Sequence, residues 1–179
     1  NNHYQHSASV NSLSEIPSGD LLVSSGGWLP GLLGLWDLND FVGNTFMFGV
    51  RMFSVDTYVA DEDDSIHIAF GNYDGDVGLF DLTAMEIQWM EGHEEEVRTV
   101  AFSSDGTMIA SGSDDATVKL WDVDSNELID TFRGHSLSVR WVTFSPDGEL
   151  VVSGSDDATI KIWDVATGRL IKTITDHED

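Results

Sequence analysis

The sequence predicts an all-β fold made of four copies of one four-stranded unit. The first observation is a repeat: residues 92–123 and 134–165 align without a gap, are identical at 20 of 32 positions, and are offset by 42 residues. The second is that Val, Ile, Thr and aromatic residues dominate the segments between turns, as pleated packing favours. The third is that apolar residues nowhere follow the spacing of an amphipathic helix.

The composition limits the class of partner. The chain has 179 residues, which is enough for one packed domain, and a net charge of -24 from 8 basic and 32 acidic residues. This surface repels phosphate backbones, so nucleic acid is a poor partner and a protein with a basic surface is a better one. Simple solubility, or a habitat of high salt, is the alternative explanation of the charge.

The chain has no cysteine, which excludes disulfides and thiolate metal sites. No apolar run is long enough to span a bilayer, because glycines and a proline interrupt the most apolar region, Leu21 to Trp36. We therefore expect no membrane association. The compartment is left open, with an intracellular one favoured.

The first unit is expected over residues 6–50, after a polar lead-in at residues 1–5. His6 to Ser24 aligns with His135 to Ser153, and the separation is 18 residues in both copies. The unit reaches Trp36 through a turn two residues longer than the later ones. Its last strand is expected at residues 45–50.

The second unit, residues 51–91, is the most divergent copy. Strands are expected at residues 54–59, 66–71, 77–82 and 86–90. A tight turn is expected at Tyr73-Asp74-Gly75, because Asp-Gly supports the positive φ that such turns need.

The third and fourth units span residues 92–133 and 134–175. Each is expected to run through four strands joined by an SxDG turn, an SDDAT turn and a VDSN or VATG turn. Residues 176–179 are interpreted as the start of a further unit or as a tail.

A period of about 42 residues with Gly-His near the start and Trp-Asp near the end resembles the WD40 repeat family. The resemblance covers nearly all of the chain and is most specific in the third and fourth units. It implies a WD40-type β-propeller in which each unit is a blade of four antiparallel strands.

Propellers have four to eight blades, so three explanations of how the ring of this chain closes stay open. The chain is part of a larger ring (favoured), its ring is completed by another chain, or it closes as a four-bladed ring.

The resemblance also implies a buried hydrogen-bond network of His, Ser, Asp and Trp inside each blade. By position, blade 3 supplies His93, Ser111, Asp115 and Trp121, and blade 4 supplies His135, Ser153, Asp157 and Trp163. Blade 1 supplies His6, Ser24 and Trp36. Blade 2 supplies only Asp74. A catalytic triad is the alternative reading of such a set. A structural role is favoured because the set recurs at the same spacing together with a Trp that fills the space of a substrate. We therefore expect a chain that is not an enzyme.

No metal site and no cofactor are expected. The acidic run Asp61 to Asp64 is interpreted as a solvated loop rather than as a cation site. Residues 72–76 resemble a fragment of a calcium-binding loop but lack its late Glu.

The resemblance places a partner-binding face on two loop positions per blade. By alignment these positions carry Asn11, Asp56, Arg98 and Arg140, and Tyr73, Asp114 and Asp156. Arg and Tyr are common binding anchors, although the two arginines are also placed to pair with the two later aspartates. The sequence thus predicts a non-catalytic scaffold for a protein complex. The alternative is a structural subunit joined through exposed blade edges.

Overall fold

A computed structural model describes residues 10–16, 21–26, 32–37, 39, 43–47, 50–60 and 64–175. The predictions that concern His6, residues 61–63 and residues 176–179 lie outside these ranges. Within the described residues every regular element is a strand, so the all-β prediction is confirmed. These residues contain no helix that could cross a membrane.

The strands form four antiparallel sheets, each built from four strands that are consecutive in the chain. We call the sheets blades 1 to 4. Blade 1 contains β1 (Val10–Glu15), β2 (Leu21–Gly26), β3 (Leu32–Asp37) and β4 (Gly43–Met47). Blade 2 contains β5 (Met52–Val59), β6 (Ile66–Asn72), β7 (Asp76–Asp81) and β8 (Glu86–Glu91). Blade 3 contains β9 (Val97–Phe102), β10 (Met108–Ser113), β11 (Thr117–Asp122) and β12 (Leu128–Arg133). Blade 4 contains β13 (Val139–Phe144), β14 (Leu150–Ser155), β15 (Ile160–Asp164) and β16 (Leu170–Ile174).

The SDDAT turn joins the second and third strands of blades 3 and 4. In blade 3 it needs a left-handed residue, Ala116, at φ 64°, a conformation that costs a residue with a side chain about 1–2 kcal/mol. Two hydrogen bonds offset this cost: Asp115 N–H donates to Ser113 Oγ, and Thr117 N–H donates to Asp115 Oδ1. Ala158 repeats the conformation in blade 4, at φ 61°.

The tight turn expected in blade 2 is present and uses a different side chain. Gly75 supplies the positive φ, at 93°. Asn72 Oδ1 accepts the backbone N–H groups of both Asp74 and Asp76, at 2.9 and 2.8 Å. One amide side chain therefore closes the turn that a serine and an aspartate close in blades 3 and 4.

The first strands of the four blades lie side by side in chain order, β1, β5, β9 and β13. Each blade has a leading face, which carries the next-to-last residue of its third strand, and an opposite trailing face. The residues at this position are Trp36, Phe80, Trp121 and Trp163. Three apolar clusters form where a leading face covers the trailing face of the preceding blade. Full burial of each large apolar side chain there stabilises the fold by about 1.5–3 kcal/mol.

The series of blades is open at both ends in the described residues. Trp141 on the trailing face of blade 4 is 65% exposed, whereas Thr99, its equivalent in blade 3, is 4% exposed under blade 4. Leu13 on the leading face of blade 1 is 59% exposed, against 5% for its equivalent Val100. The sheets thus form an incomplete ring rather than a closed four-bladed one.

Candidate partner-binding face

The four residues of the polar network in blade 3 are linked one to the next by hydrogen bonds. His93 Nδ1 lies 2.8 Å from Asp115 Oδ2, and His93 Nε2 lies 2.8 Å from Ser111 Oγ. Trp121 Nε1 donates to the same Ser111 Oγ at 2.8 Å. Because a carboxylate only accepts, the imidazole donates from Nδ1, and a neutral ring then accepts the serine hydroxyl at Nε2.

Burial and hydrogen bonding fix the charges in this network. Burial lowers the pKa of His93, and this effect outweighs the hydrogen bond and charge of Asp115, so the ring is neutral at neutral pH. Burial opposes the charge of Asp115, but hydrogen bonds from His93 and Thr117 outweigh it and hold the pKa of that carboxyl well below its usual range. Ser111 is fully buried, so its hydroxyl is out of reach of a substrate.

Blade 4 repeats the network with the same atoms. The distances are 2.9 Å from His135 Nδ1 to Asp157 Oδ2, 2.8 Å from His135 Nε2 to Ser153 Oγ, and 2.9 Å from Trp163 Nε1 to that Oγ. Burial again lowers the pKa of the histidine. Because the same network recurs in two blades at nearly the same distances, a role of the network in stabilising the blades is supported.

Blades 1 and 2 depart from this network. In blade 1, Trp36 Nε1 donates to Ser24 Oγ at 2.9 Å. In blade 2, the predicted network residue Asp74 is exposed. Phe70 takes the position of the network serine and packs edge-on against Trp89, with ring centroids 5.5 Å apart. Gly78 makes room for this ring, because a Cβ there would lie 2.2 Å from it.

Four of the seven predicted partner residues form a row of ion pairs. They lie where β9 and β13 begin and where the SDDAT turns begin, directly after β10 and β14. Arg98 Nε donates to Asp114 Oδ2 at 2.8 Å, and Arg140 Nε donates to Asp156 Oδ2 at 2.8 Å. Arg140 Nη1 also donates to Asp114 Oδ1 at 3.1 Å, so it bridges blades 3 and 4. The hydrogen bond from Arg98 lowers the pKa of Asp114, and the bond to Asp156 raises the pKa of Arg140.

Aromatic rings extend the row into blade 2. The Arg98 guanidinium lies 4.2 Å from the centroid of the Phe53 ring, and the Arg51 guanidinium lies 5.0 Å from it. Arg51 also lies 5.6 Å from the ring centroid of Tyr73, the fifth predicted residue, which is 50% exposed. Cation–π contacts of this kind contribute about 0.5–1 kcal/mol each at exposed sites. We call the combined surface the arginine face; it consists of Arg51, Phe53, Tyr73, Arg98, Asp114, Arg140 and Asp156.

The placement of Asp56 on this face is corrected by the structure. Val55 in β5 is paired with Phe70 in the same way that Val100 in β9 is paired with Ser111, so the two valines are equivalent. Arg98 lies two residues before Val100, and the residue two positions before Val55 is Phe53. Asp56 lies farther along β5, where its Oδ2 accepts Phe102 N–H at 2.8 Å and links two first strands. Burial raises its pKa.

Asn11 also serves to join neighbouring first strands. Its Nδ2 donates to the backbone oxygen of Met52 at 2.8 Å. Its position in β1 is equivalent to that of Arg98 in β9, because Val10 pairs with Gly26 as Val97 pairs with Ser113. Among the described residues, the row of ion pairs lies in blades 3 and 4, whereas Asn11 lies in blade 1.

Comparison with known proteins agrees with this geometry. Residues 85–122 and 126–164 match the WD40 family, described as WD domain, G-beta repeat. These two segments, in blades 2 to 4, are thus similar to WD40 repeats. The WD repeat-containing protein SL1-17 of Schistosoma mansoni is 39% identical over 66 residues, which cover 37% of this chain and 22% of that protein. The small ribosomal subunit protein RACK1y of Oryza sativa subsp. japonica is 36% identical over 63 residues, or 35% and 19% of the two chains.

A third relative, the probable cytosolic iron-sulfur protein assembly protein 1 of Vanderwaltozyma polyspora, is 36% identical over 74 residues. That match covers 40% of this chain and 20% of the relative. The chain therefore spans less than a quarter of the length of each of these three relatives.

Proposed function

We propose that this chain is a non-catalytic scaffold that binds other proteins through the arginine face. The observation that carries the proposal is a continuous row of cationic and aromatic side chains over three adjacent blades. Ion pairs hold the Arg98 and Arg140 side chains in place before a partner arrives. Such preorganisation reduces the entropy that binding costs.

The internal ion pairs leave the guanidinium groups able to bind a partner. A guanidinium has five N–H donors, and the bonds of Arg98 to Asp114 use only its Nε and Nη2 atoms. The Arg140 side chain is 46% exposed. Tyr73 adds a half-exposed ring at the other end of the row, and Arg and Tyr are the residue types enriched at binding hot spots.

The test is a triple variant of the face: Tyr73→Ala, Arg98→Ala and Arg140→Ala. We expect the immobilised variant to capture its partners from an extract at least about tenfold less well, because hot-spot truncations each cost at least about 2 kcal/mol. The readout is quantitative mass spectrometry of the captured proteins.

A control matched in charge removes two exposed cations elsewhere, with Arg169→Ala and Lys172→Ala. The control should retain the partners that the face variant loses. The unfolding midpoint of each variant is measured to exclude misfolding. Undiminished capture by the face variant would move the partner site to another surface.

A second candidate function is that of a structural subunit joined through its blade flanks. The observation in its favour is the exposed trailing face of blade 4, with Trp141 where blade 3 has the buried Thr99. The leading face of another WD40 blade fits this surface by equivalence with the contact between blades 3 and 4. We expect the chain to self-associate in sedimentation, and Trp141→Asp to weaken the association because it places an unpaired charge in the contact. A chain that stays monomeric at micromolar concentration would argue against this candidate.

A further inference from the structure

The guanidinium groups of the chain are concentrated on the arginine face. Arg51, Arg98 and Arg140 are three of the eight basic residues in a chain that has 32 acidic ones. Two of the other basic residues, Lys119 and Lys161, are buried, and each donates to a threonine hydroxyl of its own blade. No other part of the described residues brings three guanidinium groups together. Because a guanidinium recognises carboxylate and phosphate oxygens, the face is suited to a negatively charged group of a partner.

One aromatic ring holds two of these guanidinium groups close to each other. The Arg98 guanidinium lies 4.2 Å from the centroid of the Phe53 ring, and the Arg51 guanidinium lies 5.0 Å from it. Stacking on an aromatic ring restricts the orientation of a guanidinium plane. A carboxylate or phosphate beside Phe53 is therefore within reach of both groups, and hydrogen bonds between ionised partners are about twice as strong as neutral ones.

Arg98 has hydrogen-bond donors that its own ion pairs leave unused. Its Nε and Nη2 atoms donate to Asp114, and Nη2 also lies 3.8 Å from Glu96 Oε2. Its Nη1 atom has no acceptor among the described residues, although the side chain is only 25% exposed. A polar group that is largely removed from water is stabilised when an acceptor reaches it. The Nη1 atom thus indicates where an anionic group of a partner binds.

The surroundings of the arginine face are acidic. Asp74, which follows Tyr73, is exposed, and so are Glu94 and Glu95. The turn that contains Asp74 packs against the loop that contains the two glutamates, because a Cβ at Gly75 would lie 3.1 Å from the backbone oxygen of Glu95. These carboxylates repel further acidic residues of a partner and attract basic ones. The net charge of -24 has the same effect at longer range.

We propose that the arginine face binds a basic segment of a partner protein that carries one anionic side chain. The carboxylate or phosphate of that side chain accepts hydrogen bonds from Arg51 and Arg98 beside the Phe53 ring. The Lys or Arg residues that flank it in the segment pair with the acidic surroundings of the face, which exclude a run of acidic residues. This selectivity rests on the proposed binding function of the arginine face and adds the chemistry of the partner.

The test measures binding of short fluorescent peptides by anisotropy, at about 0.15 M ionic strength to screen distant charges. Three lysine-flanked peptides differ only in a central Ser, Glu or phosphoserine, and a further peptide has the central Glu between glutamates. We expect the Glu peptide to bind about fivefold and the phosphoserine peptide about tenfold more tightly than the Ser peptide. A larger gain for phosphoserine would identify phosphate as the preferred group, whereas equal gains would identify a carboxylate as sufficient.

Two results of the peptide series would overturn the proposal. One is binding of the Ser peptide as tightly as both anionic peptides, or no binding of either anionic peptide. The other is binding of the all-acidic peptide as tightly as the lysine-flanked Glu peptide.

A double variant, Arg51→Gln with Arg98→Gln, tests whether the two guanidinium groups cause the preference. We expect it to bind the Ser, Glu and phosphoserine peptides within about twofold of one another, with its folding checked by the unfolding midpoint. The control, Arg169→Gln with Lys172→Gln, removes the same charge from exposed positions of blade 4 and should keep the preference of the unmodified chain. A preference that survives in the double variant would refute the site at Phe53.

The peptide series and the capture of partners from an extract distinguish this selectivity from the proposed function. If the Tyr73, Arg98 and Arg140 variant loses captured proteins while no peptide shows a preference for the anion, the selectivity alone is refuted. Undiminished capture by that variant, together with equal binding of the Ser, Glu and phosphoserine peptides, would refute both.

Discussion

Trp121→Ala is expected to lower the free energy of unfolding by about 3–5 kcal/mol, measured by urea denaturation. The Trp121 ring is fully buried in the cluster that joins blades 2 and 3. Its removal leaves a cavity in that contact and takes the indole N–H from Ser111 Oγ. Because the ring serves both the blade and the contact between blades, the loss should exceed that of any surface change.

A second substitution at Trp121 separates the hydrogen bond from the packing, and a control substitution tests the effect of burial. Trp121→Phe keeps most of the apolar packing but loses the hydrogen bond, so it should cost about 0.5–1.5 kcal/mol for the bond, plus the smaller ring. Trp141→Ala makes the same truncation at an exposed position and should change stability by about 0.5 kcal/mol or less. A loss at Trp141 as large as that at Trp121 would contradict the assignment of the buried blade core.

The parts of the fold that the sequence predicts well are those in which every copy obeys the same local rules. In blades 3 and 4, the spacing from His93 to Ser111 and from His135 to Ser153 is preserved, and the strands and turns follow it. The all-β class and the four-stranded units follow from this repetition. The hydrogen bonds join the residues that the resemblance had paired.

The prediction fails where one copy departs from the repeat. In blade 2 the paired residues Val55 and Phe70 are 15 positions apart, whereas the equivalent pair in blade 3, Val100 and Ser111, is 11 positions apart. As a result β5 begins at Met52, two residues before the predicted start of the strand. The alignment therefore put Asp56 on the arginine face and overlooked Phe53 and Arg51. These additional residues shift the first strand relative to the other copies, and blade 2 lacks the His that marks the start of each other copy and would have revealed the shift.

A cavity of about 650 Å³ between blades 2 and 3, lined by Tyr58, His67 and Gly106 among others, was overlooked for a related reason. His67 and Gln88 look unremarkable in the sequence, because blade 2 is divergent throughout. Only the pairing of strands shows that His67 is equivalent to Met108, and that a polar group thus replaces an apolar one between blades. Tyr58 and Gly106 are 48 residues apart in the sequence, and their contact depends on how two blades pack.

Acidification from about pH 7 to about pH 5 is expected to destabilise the chain through His93 and His135. Burial lowers the pKa of both rings in the folded state, whereas an unfolded histidine has a pKa of 6.5. Below 6.5 the unfolded state therefore binds more protons than the folded state, and the free energy of unfolding falls as the pH falls. Each histidine contributes at most about 1.4 kcal/mol per pH unit in this window. Unfolding midpoints in urea across the pH range measure the effect.

The double variant His93→Gln with His135→Gln isolates this contribution. Its amides can still donate to Asp115 and Asp157, but they do not titrate. Protonation of surface carboxylates relieves the repulsion of a chain of charge -24, an opposite effect that both proteins share. Relative to its own value at pH 7, the free energy of unfolding of the unmodified chain should therefore fall more below pH 6.5 than that of the variant. Parallel curves would mean that the imidazoles titrate alike in the folded and unfolded states, and that burial of the network does not keep them neutral.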